Sequence, residues 1–172
     1  MTNEQIFWIN DLAKQYKVEW NGALKYASQL DELLLRVDTI PVSLILAQGA
    51  IESAWGTSRF SREGNALFGE WTTKGTGIVP LKRDSGKNHK IRIFSTPLGA
   101  VESYIRNLNT HRAYAQVRNI RQQQHQENIP LNGNSMAVGL DKYSELGEKY
   151  VTMVQDIIKS NALNQYDNAY LK

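Results

Sequence analysis

The sequence predicts a mainly α-helical domain, class α+β, with a small β-hairpin inserted after its central helix. Three observations carry this. Apolar residues recur at helical spacing before residue 53 and again after residue 96. The stretch between, "GNALFGEWTTKGTGIVPLKRDSGKNHKIRIFST" (64–96), is rich in Gly, Thr and turn formers. Two short β-prone runs inside it, "GIVPL" and "KIRIF", flank the turn-like "RDSGKNH".

Taken in order, "NEQIFWINDLAKQYK" spaces Ile6, Ile9, Leu12, Ala13 and Tyr16 as one helical face, with Thr2 or Asn3 as N-cap. "NGALKYASQLDELLLRVD" repeats the pattern with Leu24, Ala27, Leu30, Leu34 and Val37. "TIPVSLILAQGAIESAW" places Pro41 at a first turn and is apolar nearly all round, as a helix buried in mid-domain would be. Gly49 inside it costs about 1 kcal/mol against Ala, which suggests a close helix–helix contact. A two-stranded hairpin is expected between about Ile78 and Phe94. "TPLGAVESYIRNL" then has Thr96 as N-cap, Pro97 in the first turn and a stripe of Leu98, Val101, Ile105 and Leu108. "AYAQVRNIRQQQHQ" reads as a polar helix with a solvated basic face, and "NSMAVGL" as a short capped helix. "GEKYVTMVQDIIKSNAL" reads as a final long helix built on Val151, Val154, Ile157 and Ile158. The whole is expected to be one domain over 1–172, with N-terminal helices over 1–38 and a loosely docked tail over 165–172.

Composition narrows the function. Apolar residues are 41% and charged residues 22% of 172, an ordinary globular balance. The net charge of +3 permits an anionic partner without requiring one. No cysteine is present, which excludes thiolate chemistry and disulfides. His89, His111 and His125 lack metal-ligand spacing, so no metal and no cofactor are expected. "RNIRQQQHQ" lacks interleaved aromatics, so no nucleic acid is expected. No apolar run reaches the ~18 residues of a membrane span.

The chemistry centres on "GAIESAWGTSRF". Leu44, Gln48 and Glu52 share one helical face at i, i+4 and i+8, which puts Glu52 near the C-terminal end of the most buried helix. Burial and the negative end of the helix dipole both disfavour an ionised carboxylate there. A glutamic acid held protonated near neutral pH is what a general acid requires, and glycoside hydrolysis uses one on the leaving oxygen. Trp55 to Ser58 would shape the pocket wall, with the Trp55 face free to stack on a sugar.

"ILAQGAIESAWGTSRF" followed by "GNALFGEW" resembles the bacterial glucosaminidases of glycoside hydrolase family 73, of lysozyme-like fold. The resemblance continues through "IRIFSTPLGAVESYIRNLNTHRAYAQVR" and "GLDKYSELGEKYVTMVQDII", roughly Ile40 to Ile158, and looks closest to the Bax-type branch. It implies an endo-β-N-acetylglucosaminidase that cuts peptidoglycan glycan strands, with Glu52 as general acid. It implies a role for Tyr143 near the cleft, bonding the N-acetyl group or stabilising charge. Gln48, Trp55, Phe68 and Trp71 become candidate substrate contacts. The family often carries a second carboxylate on the hairpin. Here that segment offers only Asp84, for which a plain solvated turn is the favoured reading. Glu70 is the other nearby carboxylate, and Glu102 falls in a helix with a structural counterpart.

Two alternatives stay open at this point: a lytic transglycosylase or muramidase on the same fold, and a non-catalytic glycan-binding domain. A monomer is expected, and the inferred substrate places it in the periplasm or cell wall. "MTNEQIFWIN" shows no signal peptide, so an upstream export segment is expected.

Overall fold

In the computed structural model, which describes residues 2–20, 27–81, 86 and 88–169, the chain opens with α1 (Asn3–Gln15) and α2 (Ala27–Arg36). Thr2 is the N-cap of α1. Its hydroxyl accepts from Gln5 N while Gln5 Oε1 accepts from Thr2 N, a reciprocal capping box. The expected α1 face forms: Ile9, Leu12 and Tyr16 pack around buried Ala13, Val18 and Leu33.

The stripe on α2 differs from the one expected. Leu33 is buried, whereas Leu34 is 62% exposed and Leu30 is also exposed. Three consecutive leucines leave periodicity unable to choose the phase; packing on α1 chooses Leu33 and Val37. Leu24 lies outside the described residues, as does the Ala27 side chain.

The main core surrounds α3 (Val42–Ser53), which packs on α7 (Gly133–Met136), α8 (Glu148–Ser160) and the 3₁₀ turn Leu163–Tyr166. Ile40, Leu44, Ala47, Leu108, Val154 and Ile158 meet there. Gly49 does not mark a helix–helix contact. A Cβ on it would meet the Phe68 ring at an ordinary 3.6 Å, and the close approach is at Gly133, where a Cβ would fall 2.8 Å from Leu44 N. Pro41 gives α3 no side-chain cap. Asp167 supplies one from the far end of the chain: it accepts from Ser43 N and Ser43 Oγ at 2.8 Å and from Gly133 N at 3.2 Å. Asp167, within the stretch expected to be loosely docked, is thus hydrogen-bonded to the starts of α3 and α7.

After the short α4 (Arg59–Gly64) come β1 (Trp71–Thr72), β2 (Gly77–Ile78) and β3 (Lys90–Arg92). The sheet is three-stranded and antiparallel, ordered β1-β3-β2, with Ile91 opposite both Trp71 and Ile78. The expected hairpin is the β2–β3 pair. β1 joins it because the chain leaves α4 beside β3: Arg92 N donates to Glu70 O and Phe94 N to Gly64 O.

α5 (Pro97–Thr110) has the Thr96 cap and N-terminal Pro97 that the sequence predicts. Leu98, however, is exposed, and Ala100, Tyr104 and Leu108 carry the buried stripe. α6 (Ala115–Gln126) is not simply a solvated basic face. Arg118, Arg121 and Gln124 are buried in it. Arg118 donates to the carbonyls of Leu108 and His111, and Arg121 to those of Leu35 and Thr39, so both guanidiniums satisfy carbonyls at the ends of α2 and α5.

Candidate active site

Glu52 is the penultimate residue of α3. Beyond it Ala54, Trp55 and Gly56 all have positive φ, at 50°, 58° and 76°. Two of these are not glycine, and such a run is rare enough to mark a tightly specified turn. Ser53 holds it: its Oγ donates to Gly49 O at 2.6 Å and accepts from Gly56 N at 2.7 Å.

A directed chain of hydrogen bonds ends on Glu52. The Tyr104 hydroxyl donates to Gln48 Oε1. Gln48 Nε2 donates to the Tyr150 hydroxyl at 2.9 Å, and Tyr150 donates onward to Glu52 Oε1 at 2.7 Å. Gln48 fixes the direction, because an amide offers one accepting and one donating end. Oε1 of Glu52 is thus an acceptor, which leaves Oε2 to carry the proton of the neutral acid. Oε2 accepts no hydrogen bond among the described residues and faces Gly69, where even a Cβ would sit only 3.8 Å away. Gly69 has φ +62°, a backbone conformation that favours glycine, while a Cβ there would make only ordinary contact with the acid.

Burial raises the Glu52 carboxyl above its ordinary range, and the Tyr150 hydrogen bond offsets part of that. The tyrosines around it stay neutral. Burial and then the charge on Glu52 push up Tyr114 and Tyr150, and the same two causes hold Tyr143 well above its usual value. Tyr143 stacks on Tyr150 at 5.3 Å and packs against Tyr114 at 5.7 Å. Its hydroxyl makes only a long bond, 3.4 Å, to Phe68 O, and so can turn to a ligand.

The other expected site residues separate. Gln48 is fully buried with both polar ends engaged by tyrosines, so it orients the acid's partner and cannot touch a sugar. Phe68 is buried and stacks on Tyr104 at 4.1 Å, which makes it core and not a sugar platform. Trp55 and Trp71 are 62% and 70% exposed. Trp55 borders an apolar hollow with Leu46 and Leu67; Trp71 stacks on His89 at 4.3 Å. Asp84 lies outside the described residues. Glu102 is exposed on α5. Among the described residues no group of three or more His, Cys, Asp or Glu is placed to hold a metal ion, and no helix is long and apolar enough to cross a membrane.

Glu70 is the second perturbed carboxylate. Its Oε2 accepts from Ser103 Oγ at 2.8 Å and lies 3.4 Å from Arg92 Nη1. Burial still raises it, against the lowering effects of Ser103 and Arg92. Sequence reasoning missed Tyr104 and Tyr150 as site residues. Their signal was present: Tyr150, Val154 and Ile158 are spaced i, i+4, i+8, as are Ala100, Tyr104 and Leu108. A tyrosine in a buried stripe must find a partner for its hydroxyl.

Comparison with known proteins adds to this geometry. The family model for glucosaminidase, described as mannosyl-glycoprotein endo-beta-N-acetylglucosaminidase, matches residues 27–163. The chain belongs to the glucosaminidase family. It is 37% identical over 142 residues to Protein bax of Escherichia coli strain K12, covering 83% of this chain and 50% of that protein. It is 32% identical over 91 residues to peptidoglycan hydrolase FlgJ of Escherichia coli O157:H7 and of strain K12, covering 45% of this chain and 29% of FlgJ. The chain thus spans half or less of the length of these relatives. The comparison with solved structures found no match.

Proposed function

We propose that this chain is a peptidoglycan hydrolase, an endo-β-N-acetylglucosaminidase that cleaves the β-1,4 bond between N-acetylglucosamine and N-acetylmuramic acid. The observation that carries the reading is the directed Tyr104–Gln48–Tyr150–Glu52 chain, which leaves one oxygen of a burial-raised carboxylic acid unbonded beside Gly69. Family membership and the name of FlgJ supply the substrate class.

In this mechanism Glu52 Oε2 gives its proton to the glycosidic oxygen as the bond to the N-acetylglucosamine anomeric carbon breaks. The developing carboxylate is received by the Tyr150 hydroxyl, already aimed at Oε1. The substrate's own N-acetyl oxygen stabilises the anomeric carbon, with the Tyr143 hydroxyl turning from Phe68 O to orient that arm. Water then attacks the anomeric carbon as its bond to the N-acetyl oxygen breaks, and passes a proton to the Glu52 carboxylate, which restores the acid and leaves a reducible end. Trp55 and Trp71 offer exposed rings for sugar stacking. The enzyme works as a monomer where its substrate lies, in the periplasm or cell wall.

Mass spectrometry of purified peptidoglycan digested with wild type and with Glu52→Gln tests the reading. Expected are fragments with reducible N-acetylglucosamine ends from wild type and none from the variant. Anhydro sugars would instead identify a transglycosylase, and reducible muramic acid ends a muramidase. A strand bound but uncut by wild type would identify a binding domain.

A further inference from the structure

Beside the site lies a pocket of about 330 Å³ walled by Glu70 and Trp71 on the sheet side, Arg92 on β3, and Ser103 and Arg106 on α5. Its remaining wall includes Lys17, which follows α1. Lys17 precedes the segment matched by the family model, which begins at residue 27. Its place is nonetheless fixed. Arg36 Nη1 donates to the carbonyls of Tyr16 and Lys17 at 3.0 and 3.1 Å, and Lys17 has φ 57°. Arg106 joins the same corner, with its guanidinium 5.7 Å from the Tyr16 ring and 3.4 Å from Gln15 Oε1.

Three cations, Lys17, Arg92 and Arg106, line the pocket against one carboxylate, Glu70. Arg92 is engaged by Glu70 and Ser103. Neither Lys17 nor Arg106 has a carboxylate partner among the described residues. Glu70 is already engaged by Ser103 and Arg92, which leaves Lys17 and Arg106 as the cations free to face an anion. The pocket adjoins the acid: Glu70 follows Gly69, which faces Glu52 Oε2, and both carboxylates act on Tyr143.

We propose that this pocket is a subsite for a carboxylate borne by the glycan strand, with Lys17 and Arg106 as its cations, so that the turn after α1, which precedes the family segment, sets substrate preference. This rests on the glycan-cleaving reading above. The carboxylate has two sources on such a strand: the lactyl group of an unsubstituted muramic acid, and the attached peptide.

Calorimetry on the Glu52→Gln protein reads binding without turnover. The probes are soluble N-acetylglucosamine–N-acetylmuramic acid oligomers with free lactyl carboxylates, their methyl esters, and their peptide-substituted forms. A carboxylate form should bind about tenfold tighter than the ester, as charge-assisted contacts allow. Adding Lys17→Gln and Arg106→Gln should erase that ratio, and salt should shrink it. Tightest binding by the acid oligomer names the lactyl group; tightest binding by the peptide form names the peptide. Equal binding of acid and ester, or a ratio that survives the double substitution, overturns the subsite. Oligomers that bind wild type but stay uncut would overturn the hydrolase reading while leaving the result on the subsite intact.

Discussion

Two buried polar networks draw on α5, one through Tyr104 and one through Asn109, and they end differently. Around Arg121 the network is closed. Its Nη1 donates to Thr39 O and Asn109 Oδ1, its Nη2 to Leu35 O, and its Nε pairs with Asp38 at 3.1 Å. Asn109 then donates to Asp38 O. Around Gln48 the network runs in one direction and stops at Glu52 with Oε2 unbonded. Burying polar groups is costly in both places. In the closed network every group is matched within the protein, and the product is a fixed junction of α2, α5 and α6. In the open one Oε2 is left unbonded beside Gly69, the oxygen that the proposed function reads as carrying the proton.

The largest expected effect breaks the closed network. Arg121→Ala leaves the Asp38 carboxylate with only His125 and Thr39 N among the described residues, strands Asn109 Oδ1 and two carbonyls, and should cost about 3–5 kcal/mol in urea unfolding. Activity per folded molecule should not change. A variant as stable as wild type would remove the contrast.

Next comes the open end. Glu52→Gln should lower glycan cleavage at least about 10²-fold, with a circular dichroism spectrum like wild type. Near wild-type digestion would end the acid assignment.

Tyr150→Phe tests the step between. Gln48 Nε2 loses its acceptor, so stability should fall by about 1–3 kcal/mol. Glu52 loses the hydrogen bond that lowers it, so its acid form persists to higher pH. The alkaline limb of the pH–rate profile should therefore move upward; a limb that stays put or moves down would show that Tyr150 does not act on the acid.

Tyr143→Phe should lose more activity than Asp84→Asn, because a substrate-assisted route depends on the group that orients the N-acetyl arm. An inactive, folded Asp84→Asn beside a near-normal Tyr143→Phe would restore a mechanism with two carboxylates.

The smallest effect is on stability against pH. Glu52 holds its proton more tightly folded than unfolded, so wild type loses stability as pH rises from its ordinary 4.5 through the raised folded value. Glu52→Gln lacks that loss. Its stability relative to wild type should rise across that window and be flat below it; thermal melts at a series of pH values decide.

Much of this was legible in the residues. The α1 cap, the Thr96–Pro97 start of α5, the position of the sheet and the burial of Glu52 near a helix end follow from spacing and local chemistry. Those signals depend on neighbours within one or two turns, where sequence distance and spatial distance agree. What failed lay where they disagree. Leu33 rather than Leu34 faces inward because α1 packs there. Phe68 could be read equally as a sugar platform or as core, and Gln48 as a cleft residue, until Tyr104, from α5, engaged both. Arg118 and Arg121 read as solvated because their partners are carbonyls, which any residue supplies and no sequence marks. The cap on α3 comes from Asp167, 124 residues beyond Ser43. The sequence by itself determined the helices, the hairpin and the candidate acid, Glu52. Only the tertiary structure decided which oxygen of that acid is free, because the chain of donors that fixes it runs through three helices far apart in sequence.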